Sequence, residues 1–145
     1  MLVAASIGGL LALRSPGPSG PGADTAAAIR ADRESQIIVA QDQAPKARSY
    51  ARGATPRRSL EDAVAGDVRT RIRSQDVGGP LQRVHCTATR AAKALPAFRC
   101  NARAGGVDYP FVGVVDRRSR TLTWCKRDPA PTSQLNVPVS PRCRA

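Results

Sequence analysis

The sequence predicts a small α+β domain in which one N-terminal helix packs on a four-stranded antiparallel meander. A hydrophobic segment and a disordered linker precede this domain. Three observations predict the fold: one apolar helical stripe, four short strand-like segments after it, and glycine-rich or polar turn signals between the later strands. We expect a signal-like or membrane-anchor segment at 1–14, a flexible linker with a weak helix at 15–58, and the disulfide-containing domain at 59–145.

The first 14 residues predict export. Residues 1–13 form an uninterrupted apolar run that ends at Arg14. This length is typical of the hydrophobic region of a signal peptide. A helix that spans a membrane needs about 20 apolar residues, which is more than this run provides. No basic residue precedes the run, so we expect the true start of the chain to lie upstream. The segment is either cleaved or retained as an anchor, and a buried N-terminal helix is the alternative.

The linker is predicted from composition. Residues 15–22 read SPGPSGPG, in which the prolines lack a backbone donor and the glycines are flexible. Residues 24–40 are rich in alanine but have no continuous apolar stripe, so only a weak helix is expected there. Residues 41–58 are polar and basic, and we expect them to be disordered or extended.

The helix is expected at about 59–75. Ser59 offers an N-cap hydroxyl, and Gly78-Gly79-Pro80 follows as a stop signal. One apolar stripe recurs every four residues, at Leu60, Val64, Val68 and Ile72. This stripe predicts that the helix packs on a sheet.

The first two strands are expected at about 81–89 and 97–104. Both alternate, so each has two distinct faces. One face combines Leu81, Arg83, His85 and Thr87 with Arg99, Asn101 and Arg103. The other combines Gln82, Val84, Cys86 and Ala88 with Phe98, Cys100 and Ala102. We therefore expect one helix-covered face and one solvent-exposed face that carries arginines.

The last two strands are expected in 109–126, YPFVGVVDRRSRTLTWCK. An apolar run rich in β-branched residues contains Gly113, a polar turn spans 116–120, and Leu122, Trp124 and Lys126 alternate with more polar positions. Three of the five aromatic residues lie here, at Tyr109, Phe111 and Trp124. This stretch is therefore expected to supply much of the core, before a proline-rich tail begins at Asp128.

All four cysteines lie in the predicted domain, at Cys86, Cys100, Cys125 and Cys143. An even number in a small chain with few aromatic residues predicts disulfides and an oxidising compartment. Of the three possible pairings we expect Cys86–Cys100, between neighbouring strands, and Cys125–Cys143, which would hold the tail. Each closes a loop of roughly 15–20 residues and contributes on the order of 3 kcal/mol.

Residues 59–143 resemble small exported actinobacterial domains of unknown function. The resemblance rests on the HC(x13)C spacing that begins at His85, on the YPFVGVVD…LTWCK stretch and on a proline-rich tail with the last cysteine. It implies export and disulfides and carries no activity. The basic residues usual at the N-terminus of such proteins are missing here.

The residue types and spacings point to a protein that is not an enzyme and has no cofactor or metal. His85 is the sole histidine and is expected in the middle of a strand. Asp108 and Asp116 would lie over about 20 Å apart along one strand, too far for paired carboxylates. There is no C-x-x-C pair, and His85 and Cys86 point to opposite faces. No glycine pair fits a phosphate loop, and no small-molecule substrate is evident.

The net charge of +12 suggests an anionic partner. The candidate anion-binding residues are Arg99, Arg103, Arg117, Arg118 and Arg120. Outside the cytoplasm, the partner would be an anionic cell-envelope polymer, lipid headgroups or a protein. The alternative is an arginine surface that is merely solvated.

Two other functions compete with this one. A secreted protease inhibitor would present rigid loops, at 89–96 or 128–134. A basic nucleic-acid-binding protein would use the arginines on phosphates. Against the latter stand the scarcity of aromatic stacking residues and the cysteines, which predict export.

Overall fold

A computed structural model describes residues 21–89, 95–127 and 137–144. The predicted segment 1–14 lies outside these residues. The elements in chain order are α1 (Pro21–Asp42), β1 (Lys46–Ser49), α2 (Pro56–Arg73), β2 (Leu81–Thr89), β3 (Ala97–Ala104), β4 (Val107–Asp116), β5 (Thr121–Lys126) and a 3-10 turn (Pro141–Cys143).

The strands form one five-stranded sheet in the order β1-β5-β4-β3-β2, and all neighbouring strands are antiparallel. The α+β class is therefore confirmed, but the sheet has five strands instead of four and a second helix is present. The additional strand is β1, which pairs with β5 from Lys46 opposite Trp124 to Ser49 opposite Thr121. Of the segment 41–58, which was expected to be disordered or extended, residues 46–49 are extended and belong to the sheet, whereas its two ends lie in α1 and α2.

Helix α2 begins three residues before the predicted position. Pro56 occupies the first turn, where its fixed φ suits a helix and its missing N–H is not needed. The predicted stripe is the buried side of the helix, because Leu60, Val64 and Val68 are completely buried and Ile72 is partly buried. A Cβ atom at position 113 would lie only 3.0 Å from both methyl groups of Leu60. Gly113 has no Cβ, and α2 can therefore approach β4 closely.

The core lies between α2 and one face of the sheet. Phe98, Phe111, Leu122 and Trp124 all point into it and are buried. Strands β3 and β4, which carry Phe98 and Phe111, form a hairpin that turns at Gly105 and Gly106. The φ angles of these glycines are +56° and +81°. Such angles favour glycine in a two-residue hairpin loop, as the sequence indicated.

Helix α1 is longer than the weak helix expected at 24–40 and spans 22 residues, about 33 Å. It is held mainly by its end, since Ile29, Ile37 and Ile38 are 56%, 51% and 66% exposed. Near that end, Val39 and Asp42 are partly buried and Gln43 is buried. Within the described ranges, neither helix combines the length and the apolar character of a membrane span.

Candidate functional site

The two disulfides lie on opposite faces of the sheet. Cys86 and Cys100 are direct cross-strand partners on the face that α2 covers, and their Cα atoms are 4.0 Å apart. Cys125 lies on the other face and bonds to Cys143 of the 3-10 turn, with Cα atoms 5.9 Å apart. Both predicted pairings are therefore present. Two disulfides in one small domain indicate an oxidising environment.

The second face is covered unevenly. The 3-10 turn packs against β4 and β5, whereas the β2–β3 part of this face is uncovered by any described residue. We call this part the open face, and it consists of Arg83, His85, Thr87, Arg99, Asn101 and Arg103. All of these residues are exposed except Arg103, which is partly buried. The expectation of one covered face and one exposed face with arginines describes the middle of this half of the sheet. It is wrong for Leu81, which packs against the core beyond a register shift before Arg83, and for Gln82 and Ala88, which are exposed.

The strand register arranges the open face in rows. Arg83 is opposite Arg103, His85 is opposite Asn101, and Thr87 is opposite Arg99. Side chains of directly opposed residues lie about 5 Å apart at Cβ. The open face therefore has a pair of arginines at one end, a middle row of His85 and Asn101, and a third arginine, Arg99, in the row at the other end.

A shallow cleft of about 380 Å³ lies at the arginine pair. Arg83, His85, Asn101 and Arg103 line it together with Asp108 of β4. Arg103 Nη1 donates to Asp108 Oδ2 at 3.1 Å, and the two side chains are 41% and 47% exposed. Because both groups are so accessible to solvent, this ion pair holds Arg103 only weakly.

The three other predicted arginines lie elsewhere. Arg117, Arg118 and Arg120 belong to the β4–β5 turn. Asp108, the partner of Arg103, is eight residues (116 − 108) before Asp116 on the same strand, a distance of about 26 Å. The predicted anion-binding set is thus divided between the open face and this turn. Arg103 is too far from the turn to share a small ligand with it, and Arg99, opposite Val112, lies about 13 Å along the strand from Asp116.

Asp116 shapes the turn that carries those arginines. Its Oδ1 accepts hydrogen bonds from the backbone N–H groups of Arg118 at 2.8 Å and Ser119 at 3.3 Å. Hydrogen bonds from the side chain and backbone of Ser119, and from the backbone of Arg118, hold the pKa of Asp116 below its ordinary value. The polar turn predicted at 116–120 therefore agrees with the structure.

An ion cluster lies on the helix-covered face, between α1, β1, α2 and β5. Its charged members are Asp42, Lys46, Asp67, Arg71 and Lys126. Asp67 Oδ1 accepts from Lys46 Nζ at 2.5 Å and from Arg71 Nε at 3.1 Å, and its Oδ2 accepts from Trp124 Nε1 at 3.1 Å. Asp42 accepts from both Arg71 and Lys126. The cluster joins the end of α1 to the core.

Burial and charge act in opposite directions on the titration of this cluster. Burial raises the pKa of Asp42, but hydrogen bonds from Lys126 and Arg71 and their positive charges outweigh it, so the pKa of Asp42 is lowered. Burial likewise lowers the pKa of Arg71, and the charge of Asp67 and the contacts with Asp42 raise it above its ordinary value. Asp42 and Arg71 therefore stabilise each other as ions.

Asp42→Asn is expected to destabilise the domain by about 1–3 kcal/mol at neutral pH, because charged hydrogen bonds are lost. The folded pKa of Asp42 lies below its unfolded value of about 3.9, so its contribution is full above that value. It is lost as pH falls through the folded pKa. Urea unfolding from about pH 7 to pH 3 should therefore show the difference between wild type and variant shrinking toward acid.

Asp32→Asn is the matched control for this change, because Asp32 is an exposed residue of the same helix. It should alter the free energy of unfolding by no more than about 0.5 kcal/mol at any pH. An Asp42 variant that stays as far below wild type at pH 3 as at pH 7 would contradict the assignment.

The open face and the cluster contain residues that the predicted site omitted. Arg83 was assigned to the correct face by strand alternation but was not selected as an anion-binding residue. His85 is exposed, with its Nδ1 atom 3.9 Å from Glu61 Oε1, too long for a hydrogen bond. Glu61 instead accepts the backbone N–H of Cys86 at 3.0 Å and so satisfies an edge-strand donor.

Comparisons of the chain with protein-family models, with curated proteins and with solved structures find no match. A functional proposal therefore depends on the geometry and charge of this chain.

Proposed function

We propose that this chain is an exported, non-catalytic domain that binds a polyanion of the cell envelope through its open face. The observation that carries the proposal is the set of arginines on this face. Neither the side chain of Arg83 nor that of Arg99 has an ion-pair or hydrogen-bond partner among the described residues, and the side chain of Arg103 has only the exposed Asp108. Guanidinium groups that the fold does not use remain available to an anion.

Export is supported by the two disulfides and by the apolar segment predicted at 1–14. The resemblance to small exported actinobacterial domains agrees with this placement. The domain is proposed to be secreted or held at the cytoplasmic membrane. In either location, anionic polymers are available and the net charge of +12 attracts them over long range.

The positions of the aromatic residues favour this proposal over nucleic-acid binding. Phe98, Tyr109, Phe111 and Trp124 lie on the helix-covered face, and Tyr50 packs against the core. All five aromatic residues are in the described part of the chain, and none of them is on the open face. A single-strand binder uses such rings to stack bases, and this face has only charged and polar groups.

The protease-inhibitor alternative rests on loops at 89–96 and 128–134. Most of the first loop and all of the second lie outside the described residues. No described contact favours that alternative, whereas the free arginines favour anion binding.

Arg99→Gln combined with Arg103→Gln is expected to weaken binding of long-chain polyphosphate by about tenfold or more, because each arginine near an anionic surface contributes about 1 kcal/mol. Isothermal titration calorimetry at about 50 mM and 200 mM salt would measure this loss, and affinity should fall with salt.

The control is the triple substitution of Arg117, Arg118 and Arg120 by glutamine, which removes more charge from the turn. It should weaken binding less than the double variant. If wild type binds no polyphosphate at low salt, or if the triple variant loses more affinity than the double variant, the open face is not the binding surface.

A further inference from the structure

Arg83 and Arg103 are directly opposite each other on neighbouring strands, and their like charges lower the stability of the sheet. Like charges directly opposite each other on neighbouring strands are destabilising. Asp108 compensates only Arg103, at 3.1 Å, and the side chain of Arg83 has no ion-pair or hydrogen-bond partner among the residues described. An anion placed between the two guanidinium groups would relieve their repulsion.

The cleft around this pair offers donors from several directions. Arg83 and Arg103 stand on neighbouring strands, and Asn101 and His85 form the next row. A planar carboxylate is satisfied by the fork of one arginine, whereas a tetrahedral phosphate has oxygens for two guanidinium groups and an amide at once. At about 380 Å³, the cleft is larger than one phosphate and admits a segment of a chain.

We propose that this cleft binds a phosphate group of a phosphate-containing polymer. This proposal rests on the proposed polyanion binding and specifies the chemical class of the polyanion. Asp108 holds Arg103 in the free protein, and the phosphate replaces Asp108 as the partner of Arg103. The polymer continues along β3 to Arg99, four residues (103 − 99) from Arg103 and about 13 Å away. Arg83 and Arg103 therefore bind one phosphate, and Arg99 binds a later one.

The chemistry of the open face favours a polymer over a lipid headgroup. Its residues are arginine, histidine, threonine and asparagine, with no large apolar side chain that would enter a bilayer. Peripheral proteins that lie in a membrane surface combine basic groups with such apolar residues. Binding to lipid vesicles is accordingly the competing outcome in the test.

The test compares Arg83→Gln and Asp108→Asn with two variants of equal charge on α1, Arg33→Gln and Asp32→Asn. Calorimetry with polyphosphate should show Arg83→Gln binding about fivefold more weakly, from the loss of about 1 kcal/mol. Asp108→Asn should bind about fourfold more tightly, since a negative charge about 5 Å from the ligand is removed. The α1 variants should stay within about twofold of wild type, because Arg33 and Asp32 are exposed and do not line the cleft.

Two further probes identify the ligand class. Poly-glutamate should bind wild type more weakly than polyphosphate at equal charge, and vesicles of phosphatidylglycerol should bind no better than poly-glutamate. Equal affinity for poly-glutamate, or preference for the vesicles, would overturn the phosphate-polymer assignment.

The cleft itself is tested separately from polyanion binding. If wild type binds polyphosphate while Arg83→Gln and Asp108→Asn behave like the α1 variants, binding is diffuse and the cleft proposal fails, although the proposed function stands. If wild type binds none of the polyanions, the proposed function fails and the cleft proposal fails with it.

Discussion

Removing both disulfides is expected to leave the domain largely unfolded at about 37 °C. Cys86–Cys100 and Cys125–Cys143 span sequence separations of 14 and 18, and their loops do not overlap. Each contributes about 3 kcal/mol in the loop-entropy description, so together they contribute about 6 kcal/mol. This is comparable with the whole free energy of unfolding of a small domain, about 5–15 kcal/mol.

Urea unfolding of paired Cys→Ala variants would measure this effect. Alanine is the suitable replacement because all four cysteines are buried and serine would place a hydroxyl in the core. Trp124 is the only tryptophan and is 6% exposed, so its fluorescence reports unfolding of the core. Each pair of substitutions should lower the free energy of unfolding by about 3 kcal/mol.

The two bonds should also differ in a local measurement. Loss of Cys125–Cys143 releases the 3-10 turn from β5, so hydrogen exchange at residues 140–144 should increase strongly. Loss of Cys86–Cys100 should leave that exchange nearly unchanged. Reduction of the wild-type protein serves as a control without mutation, and a loss below about 1 kcal/mol on full reduction would show that the core is sufficient without the bonds.

The parts of the fold that sequence predicted well are those in which local pattern and tertiary environment agree. The predicted bounds of β2 and β3 are those of the structure, since alternation and Gly105-Gly106 mark them. The four-residue stripe of α2 is also its buried face. In each case the buried side chains recur with the period of the element that they occupy.

Strand β1 could not be predicted in this way. Its sequence is KARS, all four residues are exposed, and no apolar alternation marks it. It is a strand because β5 provides a free edge of backbone donors and acceptors, which is a property of the assembled sheet. The start of α2 was misplaced for a related reason, because Ser59 satisfied the local pattern of an N-cap while Pro56 already supports the first turn.

The candidate site was predicted in part. Alternation assigned Arg99 and Arg103 to the exposed face, but composition alone also included the arginines of the 117–120 turn. Only the strand register shows that Arg103 is about 26 Å and Arg99 about 13 Å along the sheet from the start of the turn, and that Arg83 is the residue opposite Arg103. The ion cluster was missed because its members are scattered from Asp42 to Lys126 and meet only in the folded chain.

Replacing Asp67 with alanine is expected to destabilise the domain by about 3–5 kcal/mol, the range for breaking a buried charge network. The carboxylate of Asp67 is 2% exposed and accepts from Lys46, Arg71 and Trp124. Alanine leaves the buried indole N–H of Trp124 without its acceptor and leaves Arg71 with Asp42 as its remaining acidic partner. Both consequences raise the free energy of the folded state alone, because water solvates these groups after unfolding.

Asp62→Ala provides the control, because Asp62 is an exposed residue of the same helix. Urea unfolding should place this variant within about 0.5 kcal/mol of wild type. Asp67→Asn should fall between wild type and Asp67→Ala, because its amide oxygen still accepts from Trp124 while the charge is lost. If Asp67→Ala were no less stable than Asp62→Ala, the cluster would not be a buried network.

A local measurement connects Asp67 to the strand that the sequence did not reveal. Lys46 is the first residue of β1, and its ammonium group bonds to Asp67. Without that contact, β1 retains its backbone pairing with β5 and one side-chain hydrogen bond to α2, from Arg48 to the carbonyl oxygen of Ser59 at 3.3 Å. Its amides should therefore exchange faster than those of β4 in Asp67→Ala. Faster exchange in β1 would show that the buried carboxylate holds an otherwise polar strand in the sheet, whereas equal protection of β1 and β4 would show that β1 stays in the sheet without it.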